Sequence, residues 1–119
     1  MEDSIHSYKD LIVWQKAADL AVLIYEITET FPTNELYGLV SQMRRCAISI
    51  ISNIAEGRRR GSRKDFHQFL TIAYGSGAEL EAQIIVVKRL SFGSKLDFEQ
   101  IDGLVIEIMK MLNKMLHSI

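Results

Sequence analysis

The residues with the clearest chemical potential are seven basic side chains that crowd one short stretch of the chain. Glu56 is the only acid among them, although the 119-residue chain has a formal net charge of only -1. Clustered cations are suited to contact the phosphates of a nucleic acid, whereas this overall charge gives no general attraction to polyanions. The seven candidate phosphate contacts are Arg44, Arg45, Arg58, Arg59, Arg60, Arg63 and Lys64.

The same basic stretch also has a structural interpretation. Arg58, Arg59 and Arg60 are predicted at a helix C-terminus, where the helix dipole stabilises cations. Arg63 and Lys64 are predicted at a helix N-terminus, where the dipole opposes them, and this favours an anionic partner. A solvated basic loop and ion pairs between subunits therefore stand beside phosphate contact as interpretations. Few aromatic residues interleave with the cluster, so we expect phosphate contact without sequence preference rather than base stacking.

No arrangement of side chains in the sequence indicates an enzyme. Asn53, Glu56 and Asp65 lie near the basic stretch, as a nuclease would require, but no second clustered carboxylate or metal-ligand spacing accompanies them. The histidines at positions 6, 67 and 117 are isolated, and no Glu-x-x-His pair occurs. We therefore predict a non-enzymatic protein with no catalytic residue, no metal and no cofactor.

Cysteine usage and the N-terminal sequence bear on the compartment. Cys46 is the single cysteine, so no disulfide can form within the chain. Its neighbour Arg45 leaves two interpretations, a reactive thiol with a lowered pKa or a small buried hydrophobic side chain. The chain starts with acidic and polar residues and has no apolar run that could span a membrane. We expect a soluble, cytoplasmic protein without a membrane partner.

Four segments with helical periodicity must position these side chains. In the first, apolar residues recur at steps of three and four from Leu11 to Tyr25, and the helix is expected to run to about Thr30. Trp14 lies on this stripe and is expected in the core or in an interface. Apolar residues outside the stripe indicate a second buried face and hence a subunit contact. They are Val13, Leu20, Leu23 and Ile27.

The other three helices are bounded by turn residues and capping residues. The second is expected to begin after a cap at Thr33 or Asn34 and to end near Gly57. The third is expected over about residues 63–90 with Ser62 in a capping box, and the fourth follows a cap at Asp97. Two glycines, at positions 75 and 77, lie inside the third helix, and we infer that close helix packing compensates their cost.

Four amphipathic helices with short connections predict an all-α protein that folds as an antiparallel up-down-up-down four-helix bundle. The length favours a single domain over residues 1–119, with a loose N-terminal tail over residues 1–8. A chain of this size buries roughly two thirds of its unfolded surface, which is enough for a stable core. The second apolar face of the first helix predicts that the bundle self-associates.

Several short motifs resemble one known family. They are DLIVWQKA at 10–17, QMRR at 42–45, NIAEG at 53–57 and the Gly75-Ser76 pair followed by Glu79 and Glu81. Over about residues 8–90 the chain resembles the four-helix-bundle family of 23S rRNA intervening-sequence proteins. The resemblance implies a homopentamer of bundles and carries over no catalytic residue. A similar bundle is the accessory protein of diversity-generating retroelements, a basic pentameric barrel that works with a reverse transcriptase and nucleic acid.

The basic cluster and the resemblance together predict an oligomeric binding protein. It would contact RNA or DNA phosphates through the basic connection between the second and third helices. The alternative is a scaffold that recruits another protein, in which the basic residues serve ring assembly or solubility. Binding that depends on a polyanion and on salt distinguishes the first function from the second.

Overall fold

The computed structural model describes residues 7–118, and this part of the chain contains helices and no strand. Four long helices span Ile12–Thr28 (α1), Ser41–Arg60 (α2), Arg63–Arg89 (α3) and Glu99–Ser118 (α4). Short 3-10 helices cover Tyr8–Asp10 and Thr33–Glu35, and a wide helical turn covers Leu36–Val40. The all-α, four-helix prediction is confirmed. Within residues 7–118, no helix is both long enough and apolar enough to cross a bilayer.

The boundary between α2 and α3 differs from the predicted one. Gly57 does not end α2, because the helix continues to Arg60 and stops where Gly61 adopts a left-handed conformation with φ 84°. Ser62 then caps α3, as predicted, since its Oγ accepts a hydrogen bond of 3.1 Å from the backbone N–H of Asp65. The connection is therefore only Gly61-Ser62, and the arginines at 58–60 belong to the last turn of a helix.

The starts of α1 and α2 also differ from the predicted ones. Regular helix in α2 begins at Ser41 rather than after Thr33 or Asn34, because the backbone at Gly38 is not helical. The predicted tail over residues 1–8 falls mostly on residues 1–6, which lie outside the described residues. Ser7 caps a 3-10 helix that begins at Tyr8 and leads into α1.

The core lies along the axis between the four helices. Each helix packs against the next one in the chain, and α1 also packs against α4. Val13 and Leu20 are buried, although periodicity assigned them to a second face, while Tyr25 is exposed. Because α1 contacts helices on two sides, its buried arc is wider than one stripe. The largest fully buried side chains are Leu20, Ile24, Met43, Ile50, Ile54, Leu70, Leu80, Ile108 and Leu112.

Two glycines allow neighbouring helices to approach closely. A Cβ atom on Gly57 would lie 2.7 Å from Phe69 Cβ, at the contact between α2 and α3. A Cβ atom on Gly77 would overlap the Sδ atom of Met109 on α4. Gly75 has no such neighbour within 4 Å. The predicted close packing is therefore correct for Gly77 and wrong for Gly75. Gly57, which was not predicted to have this role, allows α2 and α3 to approach closely.

Candidate nucleic-acid interface

The seven basic residues form two groups on the folded chain. Arg44 and Arg45 lie in the first turns of α2, whereas the arginines at 58–60 lie in its last turn. At 1.5 Å of rise per residue, the two groups are roughly 20 Å apart along the helix axis. The second group continues across Gly61-Ser62 into the first turn of α3. We call it the junction cluster, and it consists of Arg58, Arg59, Arg60, Arg63 and Lys64.

Arg44 joins α2 to the end of α1. Its Nε donates a hydrogen bond of 2.9 Å to Thr28 Oγ1, and a terminal nitrogen donates one of 3.2 Å to the Tyr25 carbonyl. The guanidinium also lies 4.5 Å from the centroid of the Tyr25 ring. The last carbonyls of a helix carry partial negative charge and favour a cation there. The side chain of Arg44 is thus engaged in packing α1 against α2.

Arg45 and the polar stripe of α2 face α3. The guanidinium of Arg45 lies 3.3 Å from the Glu79 carboxylate, and the hydroxyls of Ser49 and Ser76 are 2.7 Å apart. Asn53 Nδ2 donates a hydrogen bond of 2.8 Å to the Ser49 carbonyl. Small polar side chains on both helices therefore meet across this contact. An exposed ion pair such as Arg45–Glu79 adds little stability, about 0–1 kcal/mol.

Within the junction cluster, Arg59 and Arg60 at the end of α2 have aromatic or acidic neighbours that hold them. Arg60 Nε lies 2.8 Å from a carboxylate oxygen of Glu56, one helical turn earlier, and its guanidinium lies 5.1 Å from the Phe69 ring centroid. The guanidinium of Arg59 lies 5.6 Å from the centroid of the Tyr8 ring. These contacts orient both side chains and leave them exposed at the end of the bundle.

Arg63 and Lys64 begin α3 and are exposed. Neither forms an ion pair with any residue between 7 and 118. The positive end of the α3 dipole opposes their charge, so structural electrostatics does not account for them. Within residues 7–118 their positive charge has no ion-pair partner, and it lies beside the C-terminal arginines of α2.

A small pocket lies between the end of α2 and the start of α3. It has a volume of about 130 Å³. Arg58 is half-buried in its wall. The lining residues are Gly57, Arg58, Gly61, Ser62, Arg63 and Phe66.

The groups considered for nuclease or metal chemistry do not converge. Asn53 is bound to its own helix through Ser49, and Glu56 is paired with Arg60. Among residues 7–118, no group of three His, Cys, Asp or Glu side chains could hold a metal ion. His6, the first of the three histidines, lies outside the described residues.

Cys46 is buried in the core, with 1% of its surface exposed. Burial raises the pKa of the Cys46 thiol, and the nearby Glu79 carboxylate raises this pKa further. Gln83 Nε2 lies 3.5 Å from the sulfur as a weak donor. The hypothesis of a reactive thiol with a lowered pKa is therefore wrong, and the interpretation as a small buried hydrophobic side chain is confirmed.

Cys46 is expected to react with a thiol reagent such as DTNB at least about 100-fold more slowly in the folded protein than in urea. The raised pKa keeps the folded thiol protonated. The stability linked to this protonated thiol is full below the unfolded pKa and is lost as pH rises through the folded pKa. Stopped-flow absorbance at pH 8 measures both rates. Equal rates in the folded and unfolded protein would contradict the buried position.

These features define the class of protein, a small all-α four-helix bundle with a basic cluster at one end. The family model for 23S rRNA-intervening sequence proteins matches residues 9–114, and the chain belongs to that family. The predicted family is therefore confirmed, and the match extends through most of α4, beyond the motifs that indicated it.

A solved structure agrees with this assignment. The chain is similar to the crystal structure of a protein of unknown function from the S23 ribosomal protein family of Bacteroides thetaiotaomicron. The TM-score is 0.80 and the sequence identity 28%, over 90% of this chain and 100% of that chain. No curated protein matches the chain.

Proposed function

We propose that the protein is a non-enzymatic, oligomeric bundle that contacts RNA or DNA phosphates through the junction cluster. The observation that carries this proposal is the exposed pair Arg63 and Lys64, which has no ion-pair partner among residues 7–118 and lies at the unfavourable end of the α3 dipole. A phosphate bound beside them would compensate both their charge and that of the dipole. Arg59 and Arg60 extend the same surface.

In this proposal Arg44 and Arg45 have a structural role. Their guanidinium groups bind Thr28 and Glu79, away from the junction. The aromatic residues nearest the cluster, Phe66 and Phe69, are half-buried against α2. Bases therefore have little aromatic surface to stack on, and contact with the phosphate backbone is the expected mode.

The antiparallel topology and the oligomer are part of the same proposal. The two-residue connection between α2 and α3 forces a reversal of direction, and Phe31 stacks edge-on against Phe92, 5.0 Å between centroids, which links the two remaining connections. Both observations support an up-down-up-down order. The family resemblance implies a homopentamer. In a ring whose axis is parallel to the helices, all junction clusters would lie on one side, and multivalent contact would raise affinity.

A second candidate function is a scaffold for another protein. It is favoured by apolar side chains that remain exposed on α1 and α3, such as Val22, Ile85 and Val86, with 49–57% of their surface accessible. In this function the junction cluster would serve solubility or ring assembly. The name of the family refers to 23S rRNA, and the similar solved structure belongs to a ribosomal protein family, so RNA in the cytoplasm is the first partner to test.

The proposal predicts salt-sensitive binding. Fluorescence anisotropy of a labelled structured RNA and a labelled duplex DNA, titrated with the protein at about 50 and 200 mM salt, measures it. Affinity is expected to fall steeply with salt and to be lost when Arg58, Arg59 and Arg60 are all replaced by alanine. Absence of binding to either probe at low salt would overturn the proposal and leave the scaffold function.

A further inference from the structure

Helices α1 and α4 leave an open groove between them, with a volume of about 620 Å³. Its floor is apolar, formed by Val22 and Leu23 from α1 and by Leu104 from α4. Its walls are acidic, because Asp19 and Glu26 stand on α1 and Glu107 stands on α4. The remaining lining residues are Gln100 and Gly103. The groove is therefore apolar at its centre and negatively charged at its edges.

The charge of this groove is only partly compensated within the described chain. Glu107 lies 3.4 Å from Lys16 Nζ. Asp19 and Glu26 form no ion pair with any residue between 7 and 118. Val22 has 57% of its surface exposed, so the groove offers apolar surface that the chain itself leaves uncovered. An apolar surface with a basic edge would complement the groove.

The chain itself presents such a surface on α3. Ile85 and Val86 are adjacent, and each lies three or four residues from both Ala82 and Arg89, so the four share the side of α3 that points away from the core. Ile85 and Val86 have 51% and 49% of their surface exposed. Arg89 is exposed and forms no ion pair with the described residues. We call these four residues the α3 ridge.

Two of the charges beside the α3 ridge are engaged elsewhere. Glu79, one turn earlier, is paired with Arg45 on α2. Lys88 is paired with Asp102 on α4. Glu81 is exposed and lines, together with Ile85, the depression between α3 and α4. Arg89 is the charge at the C-terminal end of the ridge, two turns beyond Glu81, and its sign is opposite to that of the groove.

The groove and the α3 ridge lie at the same height along the bundle. Lys88 Nζ on α3 is 2.6 Å from Asp102 Oδ2 on α4, which aligns the last turns of α3 with the first turns of α4. Gly103, the next residue, lines the groove on the other side of α4. Surfaces at equal height can join copies by rotation about an axis parallel to the helices, which closes a ring, whereas unequal height gives a filament.

We propose that the α3 ridge of one copy docks into the α1/α4 groove of a second copy. Ile85 and Val86 would cover Val22 and Leu104, and Arg89 would pair with Glu26 at one end of the groove. This inference rests on the oligomer of the proposed function and identifies the contact that forms it. A second copy is the occupant because the chain presents a complementary surface of opposite charge at matching height. The contact is head-to-tail, so every copy uses one groove and one ridge.

The head-to-tail contact is tested by mixing two variants. Val22→Arg blocks the groove and leaves the ridge intact, whereas Val86→Arg blocks the ridge and leaves the groove intact. Each variant alone is expected to be monomeric by sedimentation velocity and native mass spectrometry. An equimolar mixture is expected to form a dimer and nothing larger, since one intact groove meets one intact ridge. Ile48→Arg on α2, where the isoleucine is 39% exposed, is the matched control and is expected to assemble like the wild type.

The outcomes separate the contact from the proposed function. A wild-type protein that is monomeric would overturn the oligomer itself. A wild-type oligomer with both variants still assembled, or with a mixture that stays monomeric, would overturn only the contact.

Should an arginine variant prove unfolded by circular dichroism, the pair Glu26→Arg and Arg89→Glu replaces it. Each is expected to weaken assembly at least tenfold, and their combination in one chain is expected to restore it. No restoration would overturn the contact. Binding of RNA by the wild type is measured separately and tests only the junction cluster.

Discussion

Replacing Arg63 and Lys64 together with alanine is expected to weaken binding to duplex DNA on the order of 100-fold at about 50 mM salt. Both side chains are exposed at the start of α3 and have no ion-pair partner among residues 7–118. Each phosphate contact that is lost lowers the slope of log affinity against log salt by about 0.9. The double variant should therefore reduce this slope by about 1.8 units. Anisotropy titrations at four salt concentrations measure both quantities.

The matched control for that variant is Lys95→Ala with Lys110→Ala. These two lysines are exposed and lie outside the junction cluster, on the turn after α3 and on α4. Both double variants lower the net charge by the same amount, so any general effect of charge on association is equal in them. The control is expected to keep the wild-type salt slope. Equal loss of affinity in the two double variants would show that overall charge, and not the junction cluster, determines binding to nucleic acid.

Replacing Gly93 with alanine is expected to produce the largest loss of stability, about 3 kcal/mol of unfolding free energy. Gly93 is buried in the turn after α3. A Cβ atom there would lie 2.5 Å from Val87 Cγ1 and 2.8 Å from the Val87 carbonyl carbon, and backbone cannot move aside as a flexible side chain can. The turn also seats Phe92 against Phe31. Thermal unfolding followed by circular dichroism should show a fall in Tm of about 10–15 °C.

The same substitution at Gly75 is the control for Gly93→Ala. Gly75 lies inside α3, and a Cβ atom there would meet nothing within 4 Å. Alanine has a higher helix propensity than glycine by about 1 kcal/mol, so Gly75→Ala is expected to raise stability by up to that amount. The two identical substitutions should therefore change Tm in opposite directions. A neutral Gly93→Ala variant would mean that the turn can open without loss of packing.

The helix boundaries show which helix ends local sequence rules can predict. The cap at Ser62 is predicted correctly, because it depends on residues only three positions apart. Asp97 also accepts a hydrogen bond of 3.0 Å from the N–H of Glu99 at the start of α4, as expected of a capping residue. The end of α2 was predicted one turn too early, because both Gly57 and Gly61 are plausible C-caps. Only the contact of Gly57 with Phe69 across the helices explains why Gly57 lies inside a helix.

The core of α1 shows a second limit of sequence patterns. Periodicity assigned Val13 and Leu20 to a separate face, and the structure buries both. An apolar stripe expected for contact with one neighbouring helix is too narrow when the helix packs against two others. The number of neighbouring helices depends on topology. The apolar side chains that stay exposed on α1 are instead Ile12, Val22 and Tyr25, and Val22 lies beside the groove with α4.

The family, the four helices and the presence of a basic cluster follow from the sequence alone, because motifs, periodicity and charge are properties of neighbouring residues. The division of the basic residues into two groups follows only from the folded arrangement. The length of α2 separates Arg44 and Arg45 from the junction cluster, and the contacts of Arg44 with Thr28 and of Arg45 with Glu79 engage them in helix packing. The folded arrangement also leaves Arg63 exposed at the junction of two helices. Such distinctions depend on which helices become neighbours in space, and no local pattern of residues encodes that.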